Sequence, residues 1–255
     1  DRVFGLTRFG GYAQYAVTQA QAVSHLPEEA PTGTGCALAT QCVTAYHSAI
    51  LSQTLLPGEK VLIHAAAGGL GTALVQIALW RGCTVIGVAG GSEKVEYLKN
   101  LGVHHVVDHH RISWTDYVHQ HLNGRVDVIF DNIGGSSIKK GKSVLAHGGR
   151  IVTLGAAALS GKKGKLNLIR LGLGFGFFSP ISYLGKSQSL IGVNMLKIAD
   201  YRPDMLAESF KGVTTLHSKG ILNPHIGAIF NGNELVKAHA FLEGRKSIGK
   251  VIVKW

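Results

Sequence analysis

Cysteine is scarce in this sequence of 255 residues, which contains only Cys36, Cys42 and Cys83, and no two of them form a C-x-x-C pair. This count and spacing argue against a disulfide framework and a structural zinc site, and they fit a reducing compartment such as the cytoplasm. The sequence also has no uninterrupted run of about 18 apolar residues, so no segment has the pattern of a membrane span.

Several catalytic motifs are absent. There is no G-x-S-x-G elbow, and Thr72 stands where a Walker motif would place lysine after its glycines, which argues against a hydrolase or a nucleotide triphosphatase. Histidines cluster at 104–105, 109–110 and 119–121, but their spacing follows no catalytic zinc pattern. We therefore predict no metal site, and no side chain is assigned as a general acid.

Acidic residues are few, with 15 Asp and Glu against 26 Lys and Arg, so the net charge is +11. This balance suits an anionic ligand, an acidic partner or nonspecific association with nucleic acid. The densest basic run, 161–165, has no interleaved aromatic residues, so we expect a solvated loop and no specific nucleic-acid binding. The apolar stretch 168–184 is interrupted by three glycines and a proline. It reads as a loop or broken helix, and peripheral membrane contact through 161–184 remains open.

Short apolar runs alternate with helical patterns of about ten residues from Pro57 onward, which is typical of βαβ units that build a parallel sheet. The predicted strands are 60–66, 84–90, 104–108, 126–135, 150–155 and 189–195, and the predicted helices are 70–80, 93–102, 113–122, 137–148 and 203–220. Before them, DRVFGL, GGYAQYAVT and AVSHLP have the composition of short strands, and 35–52 has a helical pattern. The last 35 residues predict strand, helix and strand.

The stretch HAAAGGLGTALVQIALW, residues 64–80, contains a glycine-rich turn between the first predicted strand of this series and a helix. Backbone N–H groups at such a turn and helix start form an anion site. The predicted phosphate-binding residues are Gly68, Gly69, Leu70 and Gly71. Ala66 replaces the first glycine of the G-x-G-x-x-G fingerprint, which is tolerable if its φ is not positive.

The end of the second strand in this series bears on the choice of dinucleotide. NAD enzymes carry an acid at the strand end, but this chain has Ala89-Gly90-Gly91-Ser92 there, with Glu93 and Lys94 just beyond. A small loop with a hydroxyl and a cation suits the 2′-phosphate of NADP. The alternatives are that Ser92 is a helix N-cap and that Lys94 is an exposed residue in the first helical turn.

AAAGGLGTALVQIA, VDVIFDNIGG, GGRIVTLG and the terminal GKVIVKW resemble the zinc-independent quinone oxidoreductases of the medium-chain dehydrogenase/reductase superfamily. The loop 156–188 and NPHIGAIFNGNELVKAHAFLEGRKSIGK, residues 223–250, are most similar to its vesicle amine transport protein branch. The resemblance implies an α/β fold, with a Rossmann-type doubly wound parallel sheet and a partial GroES-like β-rich catalytic domain. It assigns 1–40 and 196–255 to the catalytic domain and 41–195 to the NADP-binding domain. The first part of that catalytic domain, which in the family precedes the position of Asp1, is expected to be missing.

The resemblance also implies site residues. Thr44 matches a threonine near the nicotinamide ribose, and His109 stands beside the 2′-phosphate where the family often has tyrosine, so a pH-sensitive contribution is expected. The remaining implied cofactor-binding residues are Asn132, Gly155, Val193 and Asn194, and Tyr46 is a possible pocket residue. The alternatives are structural roles. Thr44 would bond the backbone of its own helix, and Tyr46 would pack in the core. Strand-end packing is the alternative for Asn132, Gly155, Val193 and Asn194. Zinc-dependent relatives have cysteine where this chain has Thr40, a poor zinc ligand.

The predicted function is an NADPH-dependent, zinc-independent reductase that transfers hydride to a quinone or an α,β-unsaturated carbonyl. The alternative is a weakly active or inactive nucleotide-binding scaffold for membrane or protein association. The resemblance further implies a homodimer formed by edge pairing through SLIGVNM, residues 189–195. The cysteine usage predicts a cytoplasmic location.

Overall fold

The computed structural model describes residues 1–155, 175 and 179–255. The basic run 161–165 and most of the apolar stretch 168–184 lie outside the described residues. The chain forms two compact units. We call Leu55–Ala66 with Arg81–Asn194 the sheet unit, and Asp1–Thr54, Ala67–Trp80 and Met195–Trp255 the terminal unit. The domain boundaries implied by the resemblance stay a prediction.

The described strands are β1 (Val3–Gly5), β2 (Val23–His25), β3 (Lys60–His64), β4 (Thr84–Ala89), β5 (His105–Asp108), β6 (Val126–Asp131), β7 (Leu145–Thr153), β8 (Ser189–Gly192), β9 (Ile226–Asn231) and β10 (Lys250–Lys254). Helix α1 runs continuously through Thr34–Ala37, Leu38–Cys42, Val43–Tyr46 and His47–Leu51, with π-type hydrogen bonding in its second and fourth segments. The other helices are α2 (Gly69–Trp80), α3 (Ser92–Asn100), α4 (Trp114–His121), α5 (Ser136–Val144), α6 (Pro180–Leu184), α7 (Met195–Tyr201), α8 (Pro203–Ser218) and α9 (Leu235–Glu243). Short 3₁₀ turns cover Ala20–Ala22 and Gly232–Glu234. None of the helices in the described ranges is long and apolar enough to cross a membrane.

The sheet unit contains six parallel strands in the order β5-β4-β3-β6-β7-β8. Strands β3, β4 and β6 are buried almost throughout, as expected for continuous apolar runs covered on both faces. The order reverses between β3 and β6, which is the topological switch point of a Rossmann-type sheet. The predicted doubly wound α/β architecture is therefore confirmed.

A partly buried ion pair joins two segments of the sheet unit. Arg150 on β7 donates two hydrogen bonds to the Glu59 carboxylate, at 2.7 and 2.8 Å, and the Leu56 N–H donates a third at 2.8 Å. Burial opposes ionisation of Glu59, but these hydrogen bonds outweigh it and lower the pKa of the carboxyl. The pair therefore stays ionised and links the start of β3 to β7.

Two predicted elements differ from the structure. Residues 10–18 form no strand, and Tyr15 and Val17 are 91% and 95% exposed. An apolar, β-branched composition produces a strand only where a neighbouring strand completes the hydrogen-bond ladder, and β1 here pairs with β2. The helix predicted over 137–148 ends at Val144, because the following residues pair with β6 and Gly148 adopts a positive φ of 77°.

Candidate functional site

The carboxyl ends of the six parallel strands lie along one edge of the sheet, which we call the carboxyl edge. At the strand ends and just beyond them, backbone hydrogen bonds still join neighbouring segments of the chain. The Ala66 N–H donates to Val88 O at 3.0 Å, and the Val193 N–H donates to Thr153 O at 3.0 Å. The sequence-predicted residues that follow these strands are Gly91, Ser92, Lys94, His109, Asn132, Gly155, Val193 and Asn194. The fold therefore brings this part of the predicted set to one edge.

Three basic residues follow two neighbouring strands: Lys94 comes after β4, and His109 and His110 come after β5. We call this cluster the basic corner. A methyl group on the Gly90 α-carbon would lie 2.7 Å from His109 Nε2 and 2.8 Å from His110 Nε2, so only glycine leaves room for both imidazoles. Burial, the adjacent His110 and Lys94 lower the pKa of His109, against the opposing attraction of Asp108. His109 and Lys94 are thus close enough to interact electrostatically.

The turn before α3 is held by a carboxylate rather than by a cap. Asp108 Oδ1 accepts hydrogen bonds from the N–H groups of Gly91 at 3.2 Å and His110 at 3.0 Å. The His110 hydrogen bond, with smaller help from Gly91, His110 and Arg111, lowers the pKa of Asp108 although burial opposes it. Gly91, with φ of 94°, is the N-cap of α3, and Ser92 is its first residue. The N-cap alternative for Ser92 is therefore wrong.

A buried polar cluster lies at the switch point between β3 and β6. His64 Nε2 is 3.3 Å from Ser137 Oγ and 3.8 Å from Asp131 Oδ2, and its ring meets Trp114 edge-on at 4.9 Å between centroids. Burial lowers the pKa of His64 to about 4; Asp131 opposes this and His109 adds to it. His64 is therefore neutral at physiological pH.

Three buried oxygen atoms at the carboxyl edge have no hydrogen-bond partner among the described residues: Asp131 Oδ2, Asn132 Oδ1 and Thr153 Oγ1. Asp131 Oδ1, in contrast, accepts from the Ile133 and Gly134 N–H groups, which fixes the turn after β6. Buried oxygens without partners are uncommon in folded proteins. Together with the imidazoles above Gly90, they fit a polar ligand that lies along this edge and carries hydroxyl donors and an anionic group.

The glycine-rich turn belongs to the terminal unit from Ala67 onward. Ala66 does not have a positive φ, so the condition for alanine at this position is met; the left-handed residue is Ala65, with φ of 48°. Gly68 pairs with Gly249, whose N–H donates to Ala67 O at 2.8 Å. The first-turn N–H groups of a helix have no partner within it, and here these belong to Gly69, Leu70 and Gly71.

Gln41 packs directly on this turn. A methyl group on the Gly69 α-carbon would lie 1.8 Å from Gln41 Oε1, so the amide fills the space that any other residue at position 69 would need. Three residues at these contacts were not among the predicted site residues: Gln41, His110 and Gly249. No pattern in the sequence places these residues beside the glycine turn or Gly90, since each contact joins segments that only the fold brings together.

Thr44 and Tyr46 also lie in the terminal unit, on α1. Thr44 Oγ1 donates to Thr40 O at 2.7 Å, which is the backbone bond considered as its alternative role. The Tyr46 ring packs against α8, because a methyl group on Gly212 would lie 2.0 Å from its Cζ. The roles of both residues toward a cofactor or substrate stay predictions.

Within the described ranges, no group of three or more His, Cys, Asp or Glu residues is arranged to hold a metal ion. Cys42, the thiol nearest in sequence to the Thr40 position, is buried, and burial raises its pKa to about 12 despite the opposing charge of Lys250. A thiol with this pKa is protonated at neutral pH and is a poor metal ligand.

A model of the family described as zinc-binding dehydrogenase matches residues 69–210, more than half of the chain. Human quinone oxidoreductase is 29% identical over 99% of this chain and 72% of its own length. The human synaptic vesicle membrane protein VAT-1 homolog is also 29% identical, and the match spans 99% of this chain and 65% of that relative.

Two solved structures are similar. The quinone oxidoreductase from Thermus thermophilus, solved alone and in complex with NADPH, has a TM-score of 0.80 and 27% identity, covering 98% of this chain and 76% of that one. The human VAT-1 homolog-like protein has a TM-score of 0.82 at 21% identity, covering 100% and 72%. At 21% identity, the similarity to the VAT-1 homolog-like protein shows the fold alone.

Proposed function

Because the chain belongs to the zinc-binding dehydrogenase family of medium-chain oxidoreductases, we propose that it is an NADPH-dependent reductase of quinones or α,β-unsaturated carbonyls. The observation that carries this proposal is the basic corner at the carboxyl edge, where two imidazole nitrogens converge above Gly90. The names of the quinone oxidoreductases among the relatives support the substrate class.

The residues that would hold the cofactor fall into two groups. In the sheet unit, Lys94 and His109 would bind the 2′-phosphate, and Gly91 and Ser92 would line the turn beside it. The partnerless Asn132 oxygen would accept a ribose hydroxyl, and the segments at Gly155 and at Val193 and Asn194 would follow the nicotinamide half. In the terminal unit, the first-turn N–H groups of Gly69, Leu70 and Gly71 would bind phosphate, with Gly68 allowing its approach and Thr44 serving the nicotinamide ribose.

The absence of an acid at the end of β4 favours NADPH over NADH. A carboxylate at that position accepts the two ribose hydroxyls of NADH and repels a 2′-phosphate. Here the strand ends in Ala89, and the two glycines and Ser92 that follow bring no negative charge. Asp108 is near, but its Oδ1 is occupied by two backbone N–H groups.

The chemistry requires little from side chains. A bound nicotinamide would supply the hydride, and the chain would orient the acceptor and exclude water. We assign no general acid, since solvent can deliver the proton that completes the reduction. Tyr46 is the side chain proposed to border the acceptor. Zinc is not part of the proposal, because Thr40 occupies the position of a zinc-ligand cysteine.

We further propose a cytoplasmic homodimer. In the sheet order, β8 is an outermost strand, so one of its edges has no neighbour in the described sheet. Pairing of two such edges through Ser189–Gly192 would extend the sheet across the dimer.

The test is cofactor binding and turnover by the purified chain. We expect NADPH to bind, as followed by its fluorescence, and to be oxidised when 1,4-benzoquinone is added, with no loss of rate after treatment with 1,10-phenanthroline. Lys94→Met should weaken NADPH binding about tenfold, the cost of one charged hydrogen bond. Lys99→Met, an exposed lysine in the last turn of the same helix, is the matched control and should change nothing. No NADPH binding would overturn the proposal.

A second function, a weakly active or inactive scaffold that associates with membranes or proteins, is favoured by α6. Its Ile181 and Leu184 are 79% and 81% exposed, one helical turn apart. If this function holds, the chain should cosediment with anionic liposomes at low salt, and Lys162→Ala, Lys163→Ala and Lys165→Ala together should abolish sedimentation. Absence of sedimentation at low salt would exclude the membrane form of this function.

A further inference from the structure

Two adjacent histidines, His109 and His110, present the same nitrogen to one point. Both Nε2 atoms approach the space above the Gly90 α-carbon, and their rings stand nearly perpendicular, at 86° with centroids 4.5 Å apart. Adjacent residues in an extended chain place their side chains on opposite faces. Here β5 has ended at Asp108, and the turn that follows brings both rings to the same side.

Asp108 explains why the turn has this shape. Its Oδ1 accepts the backbone N–H groups of Gly91 and His110, and it also lies 3.9 Å from His110 Nδ1. The carboxylate therefore sits behind the His110 ring, on the opposite side from the nitrogen that faces Gly90.

The charges around the pair are mixed. Lys94 from α3 and His64 from β3 interact with His109, and the Arg111 guanidinium lies 3.6 Å from Asp108 Oδ2. Burial and the neighbouring His110 lower the pKa of His109. In the absence of a ligand, the two imidazoles therefore disfavour simultaneous protonation, because two like charges would face each other at short range.

We propose that His109 and His110 form a proton-linked clamp for the 2′-phosphate, so that preference for the phosphorylated dinucleotide increases as the pH falls from about 8 to 6.5. The inference rests on the proposed function and adds His110 and a regulatory property to it. A phosphate dianion bound beside this pair of imidazoles favours protonated imidazole, so its binding takes up protons. A dinucleotide without the 2′-phosphate brings no such charge.

Linkage gives the sign and size of the effect. If binding takes up one proton, affinity rises about tenfold for each pH unit of acidification within the range where the imidazoles titrate. The gain levels off near pH 6, where the phosphate itself takes a second proton. NAD⁺ has no 2′-phosphate, so neither of these two protonation steps affects its binding. The ratio of the two dissociation constants therefore separates the clamp from general effects of pH on the protein.

The experiment is calorimetric titration with NADP⁺ and NAD⁺, which tolerate mild acid, from pH 6.5 to 8.0. Each titration is repeated in two buffers of different ionisation enthalpy, which counts the protons taken up. We expect the Kd ratio of NAD⁺ to NADP⁺ to rise about 30-fold across these roughly 1.5 pH units, with proton uptake for NADP⁺ alone. His109→Gln and His110→Gln should each flatten this dependence, whereas His147→Gln, at an exposed position of β7, should preserve it.

The outcomes separate the two proposals. If NADP⁺ binds but the Kd ratio does not change with pH and no excess protons are taken up, the clamp is overturned while the proposed function stands. If the His110→Gln variant retains the full wild-type dependence, His110 is not part of the clamp. If neither dinucleotide binds, the proposed function itself fails. The wild-type measurement needs no variant, so poor folding of one cannot obscure the result.

Discussion

Lowering the pH from 7 to 5 protonates an ordinary histidine, but it leaves His64 neutral as long as the sheet unit stays folded. The ring is buried beside Ser137, Asp131 and Trp114, and burial holds its pKa at about 4 against an ordinary value of 6.5. Unfolding releases the ring to water, where it takes up a proton. Acid therefore favours the unfolded state through this one residue.

The size of the effect follows from the two pKa values. The stability that depends on neutral His64 is complete above pH 6.5 and is lost progressively as the pH falls toward 4, because only the unfolded chain binds the proton in this window. Linkage gives a loss of about 2 kcal/mol at pH 5 and about 3 kcal/mol at pH 4. Below the folded-state pKa, no further loss arises from this group.

The assay is urea unfolding at pH 7 and at pH 5, followed by the fluorescence of Trp114. Trp80→Phe and Trp255→Phe remove the two other tryptophans, which are about half exposed and belong to the terminal unit. Trp114 is then the reporter. In this background, His64→Gln removes the titrating group. The difference in unfolding free energy between the two pH values should shrink by about 2 kcal/mol.

His147→Gln is the matched control, because it removes an exposed histidine of the same unit and should leave the pH difference as in the parent. His64→Gln is expected to lower stability at pH 7, and this does not affect the test, which compares slopes. If His64→Gln loses as much stability between pH 7 and pH 5 as the parent does, the reasoning from burial is refuted.

Two further predictions concern the packing. Gly212→Ala should destabilise the terminal unit by about 1–3 kcal/mol, because the new methyl group would overlap the Tyr46 ring. Tyr46→Ala in the same chain should recover part of the loss, and additive losses in a thermal melt would contradict the contact. Burial raises the pKa of the Cys42 thiol to about 12 and that of the Cys83 thiol to about 11. Iodoacetamide at pH 8 should therefore label only the exposed Cys36 until urea is added, and a label on Cys42 of the native protein, found by mass spectrometry, would contradict this.

Much of the fold was predictable because its signals are local. A buried parallel strand needs only a short apolar run, and a helix needs a longer amphipathic or apolar stretch. The alternation of these two patterns from Pro57 onward therefore indicated the βα units without knowledge of contacts. The glycine-rich turn was predictable for the same reason, since strand, turn and helix follow one another in the chain. The strand predicted at 10–18 was wrong because a strand also requires a neighbour, which composition does not supply.

The contacts around the candidate site were decided by tertiary structure. The order β5-β4-β3-β6-β7-β8 places His64 beside Asp131, although the two are far apart in sequence, and burial at this position gives His64 its low pKa. Gln41 meets Gly69 and Gly249 meets Gly68 only after distant segments pack. The sequence by itself determined the periodic elements and the residue types along the carboxyl edge, because these depend on near neighbours in the chain. Only the folded structure determined which polar atoms converge and which remain without partners among the described residues, because that depends on pairing between segments far apart in sequence.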